Sequence, residues 1–228
     1  MRHSRSVLSF EYGVFDNDGT LVDTLPYCAG LFADAVAPYG VPRADAERYY
    51  AETTGMPMRE QYRGVLAAHG IALRDEEIER VRKDFDAAFL KLDVRFFPHA
   101  RRMLARLRRK GLTLFLSSAA SDACVWKRLN AGGATKHFTL AYGSTAVPKG
   151  RRHLEIFSEV ARKDLAEFAA KAFFCGDGET DMEIARTNGL YAIGVRGTVS
   201  DARLRAAGAQ RLVTTVAEFL CDPAERAP

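Results

Sequence analysis

The sequence predicts an α/β protein in which a parallel sheet carries helices on its faces and a helical insert stands apart. Three observations predict it. Short apolar runs end abruptly in loops bearing Asp, Ser or Gly; these runs alternate with segments of helical spacing; and one long stretch, 25–92, is helical in spacing with no convincing strand. Strands alternating with helices imply βαβ units and a parallel sheet. Such sheets bind ligands beyond the carboxyl ends of their strands, which is where this chain concentrates its Asp, Ser and Gly.

In chain order, 12–16 is a buried strand that runs into Asp-Asn-Asp-Gly-Thr. The insert follows, with apolar residues at helical spacing such as Leu31, Phe32, Ala35 and Val36, and later Val81, Phe85 and Phe89. It is too long for one crossover and suits a small helical body. Its net charge is −2 over 24–92, which leaves +6 for the remainder. The stretch 100–110 reads as an amphipathic helix that buries Met103, Leu104 and Leu107. Arg101, Arg102, Arg106, Arg108, Arg109 and Lys110 then form its wet face rather than a nucleic-acid surface. A strand over 112–116 runs into Ser117-Ser118, and a strand over 138–142 runs into Gly143-Ser144. Leu154, Phe157 and Val160 mark a helix after Arg152. A strand over 172–175 runs into Gly176-Asp177-Gly178, and 190–195 is a fifth strand.

Composition narrows the function. The chain has 228 residues, 47% hydrophobic and 27% charged, a mix that buries a proper core and excludes disorder. Its 33 Lys+Arg against 29 Asp+Glu leave a net charge of +4, too small to make nucleic acid the default partner. Cys28, Cys124, Cys175 and Cys221 form no CxxC pair, so neither a disulfide framework nor a zinc site is expected. Cys28, Trp126 and the Tyr49-Tyr50 pair read as packing residues, with a redox-sensitive thiol at Cys28 and a cap-lining role for the tyrosines as alternatives. Glu11 interrupts the N-terminal stretch before a signal peptide could form, and no run of about 18 apolar residues predicts a membrane span. The expectation is a cytoplasmic protein with no nucleic-acid or membrane partner.

Asp16 and Asp18 stand two residues apart at the end of a buried strand, where two carboxylates are expensive without a cation or a shared proton. Gly19 lets the backbone turn, and Thr20 can orient the loop. Gly176-Asp-Gly-Glu-Thr-Asp181 repeats the arrangement at another strand end, with spacing suited to the first turn of a helix. Either loop alone reads equally as an Asp-rich turn or a cap. Together they make an oxygen-rich cage of the kind that suits Mg²⁺. Ser118 and the N–H of Ala119 could hold phosphate oxygens, and Lys149 could neutralise a phosphate or a developing oxyanion.

The order Asp16-x-Asp18-Gly-Thr, strand-Ser118, Lys149, Gly-Asp177-x-x-x-Asp181 resembles the haloacid dehalogenase-like hydrolase superfamily, its phosphatase and phosphoglucomutase-like branch. The opening Phe15-Asp-Asn-Asp-Gly-Thr-Leu-Val-Asp23-Thr-Leu is close to that family's first signature, and Pro98 with Leu104, Leu107 and Gly111 looks like its helix before the second motif. The resemblance implies a Rossmann-like doubly wound parallel sheet core over 1–24 and 93–228, and an inserted α-helical cap domain over 25–92 that closes over the active site. It implies that Asp16 is the nucleophile and forms an aspartyl phosphate, and that Asp18 is general acid and then base. By the same resemblance Thr20 would steady the loop, Ser118 and the N–H of Ala119 would bind the phosphoryl group, and Lys149 would pair with phosphate and Asp16. Mg²⁺ would be held by the Asp16 carboxylate, the Asp18 carbonyl and Asp177, with Asp181 in support. The cap segment Thr54-Gly55-Met56-Pro57-Met58-Arg59-Glu60 is similar to one that faces substrate in the family, which makes Gly55 and Arg59 candidate binding residues; an ordinary helix start with Pro in its first turn explains the same residues. Lys149 is followed by Gly150-Arg151-Arg152 where the family often has Pro, and Ser117 is a one-residue alternative to Ser118.

The leading expectation is a Mg²⁺-dependent phosphatase of a small phosphorylated metabolite, monomer or homodimer. A dehalogenase has no acid–base carboxylate two residues after its nucleophile, so Asp18 argues against it. A phosphonatase needs a cap lysine, and the insert offers only Lys83 and Lys91. A sugar-phosphate mutase such as a β-phosphoglucomutase uses the same four motifs. A non-catalytic binding protein is the reading from another class.

Overall fold

The computed structural model describes residues 5–54 and 56–221. The chain divides into two compact units, Met1–Asp23 with Val94–Pro228, and Thr24–Asp93.

The first unit is built on a parallel sheet. Its strands are β1 (Tyr12–Phe15), β2 (Thr113–Ser117), β3 (Leu140–Tyr142), β4 (Ala172–Gly176), β5 (Tyr191–Val195) and β6 (Arg211–Val213). Among the described residues they lie in the order β3-β2-β1-β4-β5-β6, every pair parallel. The central strands β1 and β4 are buried at every position, as apolar runs covered on both faces must be. The edges β3 and β6 are only partly buried. β6 was not among the strands expected from the sequence; three residues are too few to show a period. β3 begins two residues later than the apolar run, because Thr135–His137 closes a 3₁₀ turn just before it.

The helices of this unit are α5 (Ala100–Arg109), α6 (Asp122–Ala131), α7 (Arg151–Val160), α8 (Leu165–Ala170), α9 (Glu179–Asn188) and α10 (Asp201–Ala207). α5 buries Met103, Leu104 and Leu107, and α7 buries Leu154 and Phe157. Val160 ends α7 at 46% exposure, so the apolar stripe stops one turn earlier than its spacing suggests. Under the sheet, Phe115 stacks on Phe157 at 4.8 Å and meets Phe168 edge-on at 5.7 Å, while Tyr12 lies 4.8 Å from Phe168. Such aromatic pairs add to the burial that holds helices on a sheet. Trp126, expected in packing, is 40% exposed on α6.

The second unit is helical: α1 (Leu25–Val36), α2 (Arg43–Thr53), α3 (Met58–Ala68) and α4 (Asp75–Lys91). Its core has Phe32 stacked on Tyr62 at 4.8 Å and, in α4, Val81, Phe85 and Phe89 on the buried face. Cys28 is buried there, and Tyr50 packs on Phe32 at 5.3 Å. No helix among the described residues is long and apolar enough to cross a membrane.

Candidate active site

Chain order decides where a site can form. The chain leaves β1 toward β2 and β3 on one side, then returns to β4, β5 and β6 on the other. The crevice at that reversal, beyond the carboxyl ends of the strands, is open to loops from both halves. Asp16 follows β1, Ser118 follows β2, Lys149 lies in the loop after β3, and Asp177 follows β4.

These residues meet. Lys149 Nζ donates to Asp16 Oδ1 at 2.6 Å and lies 2.5 Å from Asp181 Oδ1. The carboxylates of Asp16, Asp177 and Asp181 are all buried, with ligand oxygens within 4.8 Å of one another. Three buried carboxylates against one ammonium leave an excess of negative charge. Its cost shows in the acids: burial first, then Asp181, Asp177 and Asp18, push Asp16 well above the ordinary carboxyl value, against the pull of Lys149. Asp177 is pushed up to about 6 by burial and by Asp181, with Thr198, Lys149 and Thr20 pulling the other way. Burial opposes the charge on Lys149, but Asp16 and Asp181 outweigh it and hold the ammonium above its ordinary value. An all-oxygen, net-negative, buried donor set fits a hard divalent cation such as Mg²⁺.

The loop after β1 is folded by its own backbone. Leu21 and Val22 N–H donate to the Asn17 carbonyl at 2.9 and 3.0 Å, and Gly19 N–H donates to the Val22 carbonyl at 2.9 Å. Gly19 sits at φ +74°, and a Cβ there would collide with the Asp177 carboxylate. Thr20 Oγ1 donates to Asp177 Oδ1 at 3.0 Å, and Thr198 Oγ1 donates to Asp177 Oδ2. Both oxygens of Asp177 are thus aimed by hydroxyls. Asp181 opens α9, where its Oδ2 accepts from Gly178 N–H at 3.1 Å; an acid suits that positive helix end.

The two serines part company. Ser117 Oγ lies 2.8 Å from His153 Nδ1, inside the fold. Ser118 Oγ faces the loop after β1, 3.4 Å from Asp18 Oδ2, and accepts from Ala120 N–H at 3.0 Å. Ala119 between them is exposed. Lys149 N–H donates to Ser144 Oγ at 2.9 Å, and Ser144 Oγ donates to the Ser118 carbonyl at 2.8 Å. The loop after β3 is therefore tied to the loop after β2, and α7 starts at Arg151 without the proline.

Asp18 is held differently from Asp16. Its Oδ1 pairs with the guanidinium of Arg128, a residue of α6 whose side chain is only 3% exposed. Its Oδ2 is 3.3 Å from Asn17 Nδ2. Sequence reasoning missed Arg128, Thr198, Ser144 and His153. Each contacts a motif residue from a distant part of the chain, so no local pattern could have revealed it. Arg59 belongs to the helical unit, where it pairs with Asp75 at 3.1 Å. Gly55 lies outside the described residues.

The carboxylates thus cluster at the switch point of a doubly wound parallel sheet, where an α/β core places its ligand site. The sequence model of the haloacid dehalogenase-like hydrolases matches residues 14–195, and the chain belongs to that family. Among curated relatives it is 29% identical to Probable phosphatase IndB of Dickeya dadantii, over 91% of this chain and 90% of that one. It is also 29% identical to phosphoglycolate phosphatase of Synechococcus elongatus, over 82% and 84% of the two chains. A haloacid dehalogenase-like family hydrolase from Streptococcus pneumoniae superposes with a TM-score of 0.76 at 20% identity, over 93% of this chain and 98% of that one.

Proposed function

We propose that this enzyme is a Mg²⁺-dependent phosphoric monoester hydrolase that acts on a small organic phosphate through an aspartyl phosphate at Asp16. The observation that carries the reading is the division of labour between two neighbouring carboxylates. Asp16 sits in the buried cluster against Lys149, while Asp18 is tethered outside it with 22% of its side chain exposed.

Asp16 Oδ attacks phosphorus, a P–O bond to the carboxylate forms, and the P–O bond to the alcohol breaks with its electron pair passing to the leaving oxygen. Asp18 supplies the proton that this oxygen takes up. In the second half, water attacks the phosphoryl group, Asp18 accepts its proton, and inorganic phosphate and the Asp16 carboxylate are released. Ser118 and the N–H of Ala119 hold the phosphoryl oxygens, and Lys149 offsets their charge. Asp16, Asp177, Asp181 and the Asp18 carbonyl would hold the metal, which supplies charge neutralisation and alignment. Gly55 and Arg59 are candidates for recognising the organic part of the substrate.

The names of the curated relatives favour phosphate release over mutase chemistry, and phosphoglycolate is the first substrate to try. The test is phosphate release from phosphoglycolate, glycerol 3-phosphate, sugar phosphates, nucleotides and p-nitrophenyl phosphate, with Mg²⁺ and with EDTA. The expected result is metal-dependent release that falls by at least about 10³-fold in Asp16→Asn. No release from any member of the panel would sink the phosphatase reading, and isomerisation of a sugar phosphate without release would move it to a mutase.

A further inference from the structure

The pairing of Asp18 with Arg128 has a feature that packing does not explain. Arg128 lies in α6 beside Cys124, Val125 and Leu129, all buried. At such a position an apolar side chain of similar volume is generally as stable as an ion pair or more so, because removing a guanidinium from water is expensive. Here the guanidinium pairs with Asp18 Oδ1. The other oxygen, Oδ2, is left with two long contacts, 3.3 Å to Asn17 Nδ2 and 3.4 Å to Ser118 Oγ. Both are near the outer limit of a hydrogen bond. One oxygen is thus clamped and the other is weakly held, on the side of the serine that closes the phosphate loop.

The clamp is delivered by a stiff element. α6 is capped at its start by Ser121, whose hydroxyl accepts from Cys124 N–H at 3.3 Å, and at its end by Gly132. The helix that starts directly after the Ser118 loop therefore also fixes Asp18, so the phosphate-binding loop and the acid–base carboxylate share one support. A helix is a better carrier than a loop for a group that must be held to a fraction of an ångström.

We propose that Arg128 is the positioning residue that clamps Asp18 Oδ1 and so presents Oδ2 as the oxygen that gives the proton to the leaving alcohol and takes it from water. This rests on the phosphatase reading of Asp18 above. In this role Arg128 acts through Asp18, with which it pairs. An alkoxide leaves poorly without that proton, whereas p-nitrophenolate leaves readily without one. The contribution of Arg128 therefore depends on the leaving group, as a merely structural contribution would not.

The test measures kcat/KM, which reports the steps up to release of the alcohol and not the later hydrolysis, for Arg128→Met, Arg128→Lys, Asp18→Asn and the double variant Asp18→Asn/Arg128→Met. The substrates are p-nitrophenyl phosphate and the panel's fastest alkyl phosphate. Arg128→Met is expected to lose about 100-fold on the alkyl phosphate and less than about 5-fold on p-nitrophenyl phosphate, the span that loss of general acid catalysis covers. In the Asp18→Asn background the same substitution should cost less than about 3-fold more, since neighbours acting as one unit are not additive. Arg128→Lys, which keeps the charge, should recover part of the loss on the alkyl phosphate only. If Arg128→Met does not fold, the same ratio is read on Arg128→Lys. Equal losses on both substrates, or a loss undiminished without Asp18, overturn the assignment of Arg128 while leaving the phosphatase reading intact. A wild-type enzyme that releases phosphate from neither substrate removes both.

Discussion

Gly19 shows how much a single residue carries at this site. Its φ of +74° is costly for any side chain, and its missing Cβ makes room for the Asp177 carboxylate. Gly19→Ala is expected to cost at least about 1–2 kcal/mol from the backbone alone. By displacing Asp177 it should also weaken Mg²⁺ binding by about 10-fold or more, readable as a lower melting temperature and a rightward Mg²⁺ titration. Asp177 itself sets a pH dependence. Its carboxyl is raised from an ordinary 3.8 to about 6, so the folded metal-free protein keeps a proton that the unfolded chain has lost. That contribution to stability is full below the ordinary value and is lost as pH rises through about 6. Mg²⁺ competes for the same carboxylate, so its stabilising shift in melting temperature should be small near pH ~5 and larger near pH ~8. A shift independent of pH would count against Asp177 as a ligand.

At the scale of elements, β2, α7 and the loop after β3 are joined through one buried imidazole. His153 Nε2–H donates to the Val147 carbonyl at 2.9 Å, which leaves Nδ1 to accept from the Ser117 hydroxyl at 2.8 Å. This arrangement needs the neutral ring, and burial lowers its proton affinity from the ordinary 6.5, with Lys149 adding to the effect. A depressed folded value means stability that is fully present above 6.5 and lost as pH falls through the folded value. His153→Leu leaves the buried Ser117 hydroxyl without its partner, at about 1–3 kcal/mol, and the half-buried Val147 carbonyl at less. It should lower the melting temperature at neutral pH and flatten the fall in stability toward acid. A variant whose acid limb is unchanged would show that another group controls that limb.

At the scale of the molecule, the sheet unit is interrupted in sequence yet continuous in structure. Asp23 N–H donates to the Arg95 carbonyl at 3.0 Å, and Phe97 N–H donates to the Leu21 carbonyl at 2.8 Å, so the chain leaves and re-enters at neighbouring points. Closing so short a gap carries little entropy cost. Replacing 24–93 with a short Gly/Ser linker should therefore leave a sheet unit that unfolds cooperatively and still gains thermal stability from Mg²⁺. Loss of cooperative unfolding in that variant would show that the sheet unit depends on the insert for its stability.

The α/β grammar, the helical insert and the four motif positions were legible in the sequence because each is local. A strand end followed by acids, a turn glycine or an amphipathic stripe is written within a dozen residues. The carboxylate cluster followed once the strands were placed, since parallel strands deliver their ends to one edge. What only the tertiary structure decided is which groups hold these residues: Arg128 on Asp18, Thr198 on Asp177, His153 on Ser117, Ser144 between Ser118 and Lys149. It also separated Ser118 from Ser117, because successive residues at a strand end face opposite sides of the sheet. These contacts join residues far apart along the chain. Their energy comes from burial and geometry that exist only after folding, which is why no spacing in the sequence encodes them.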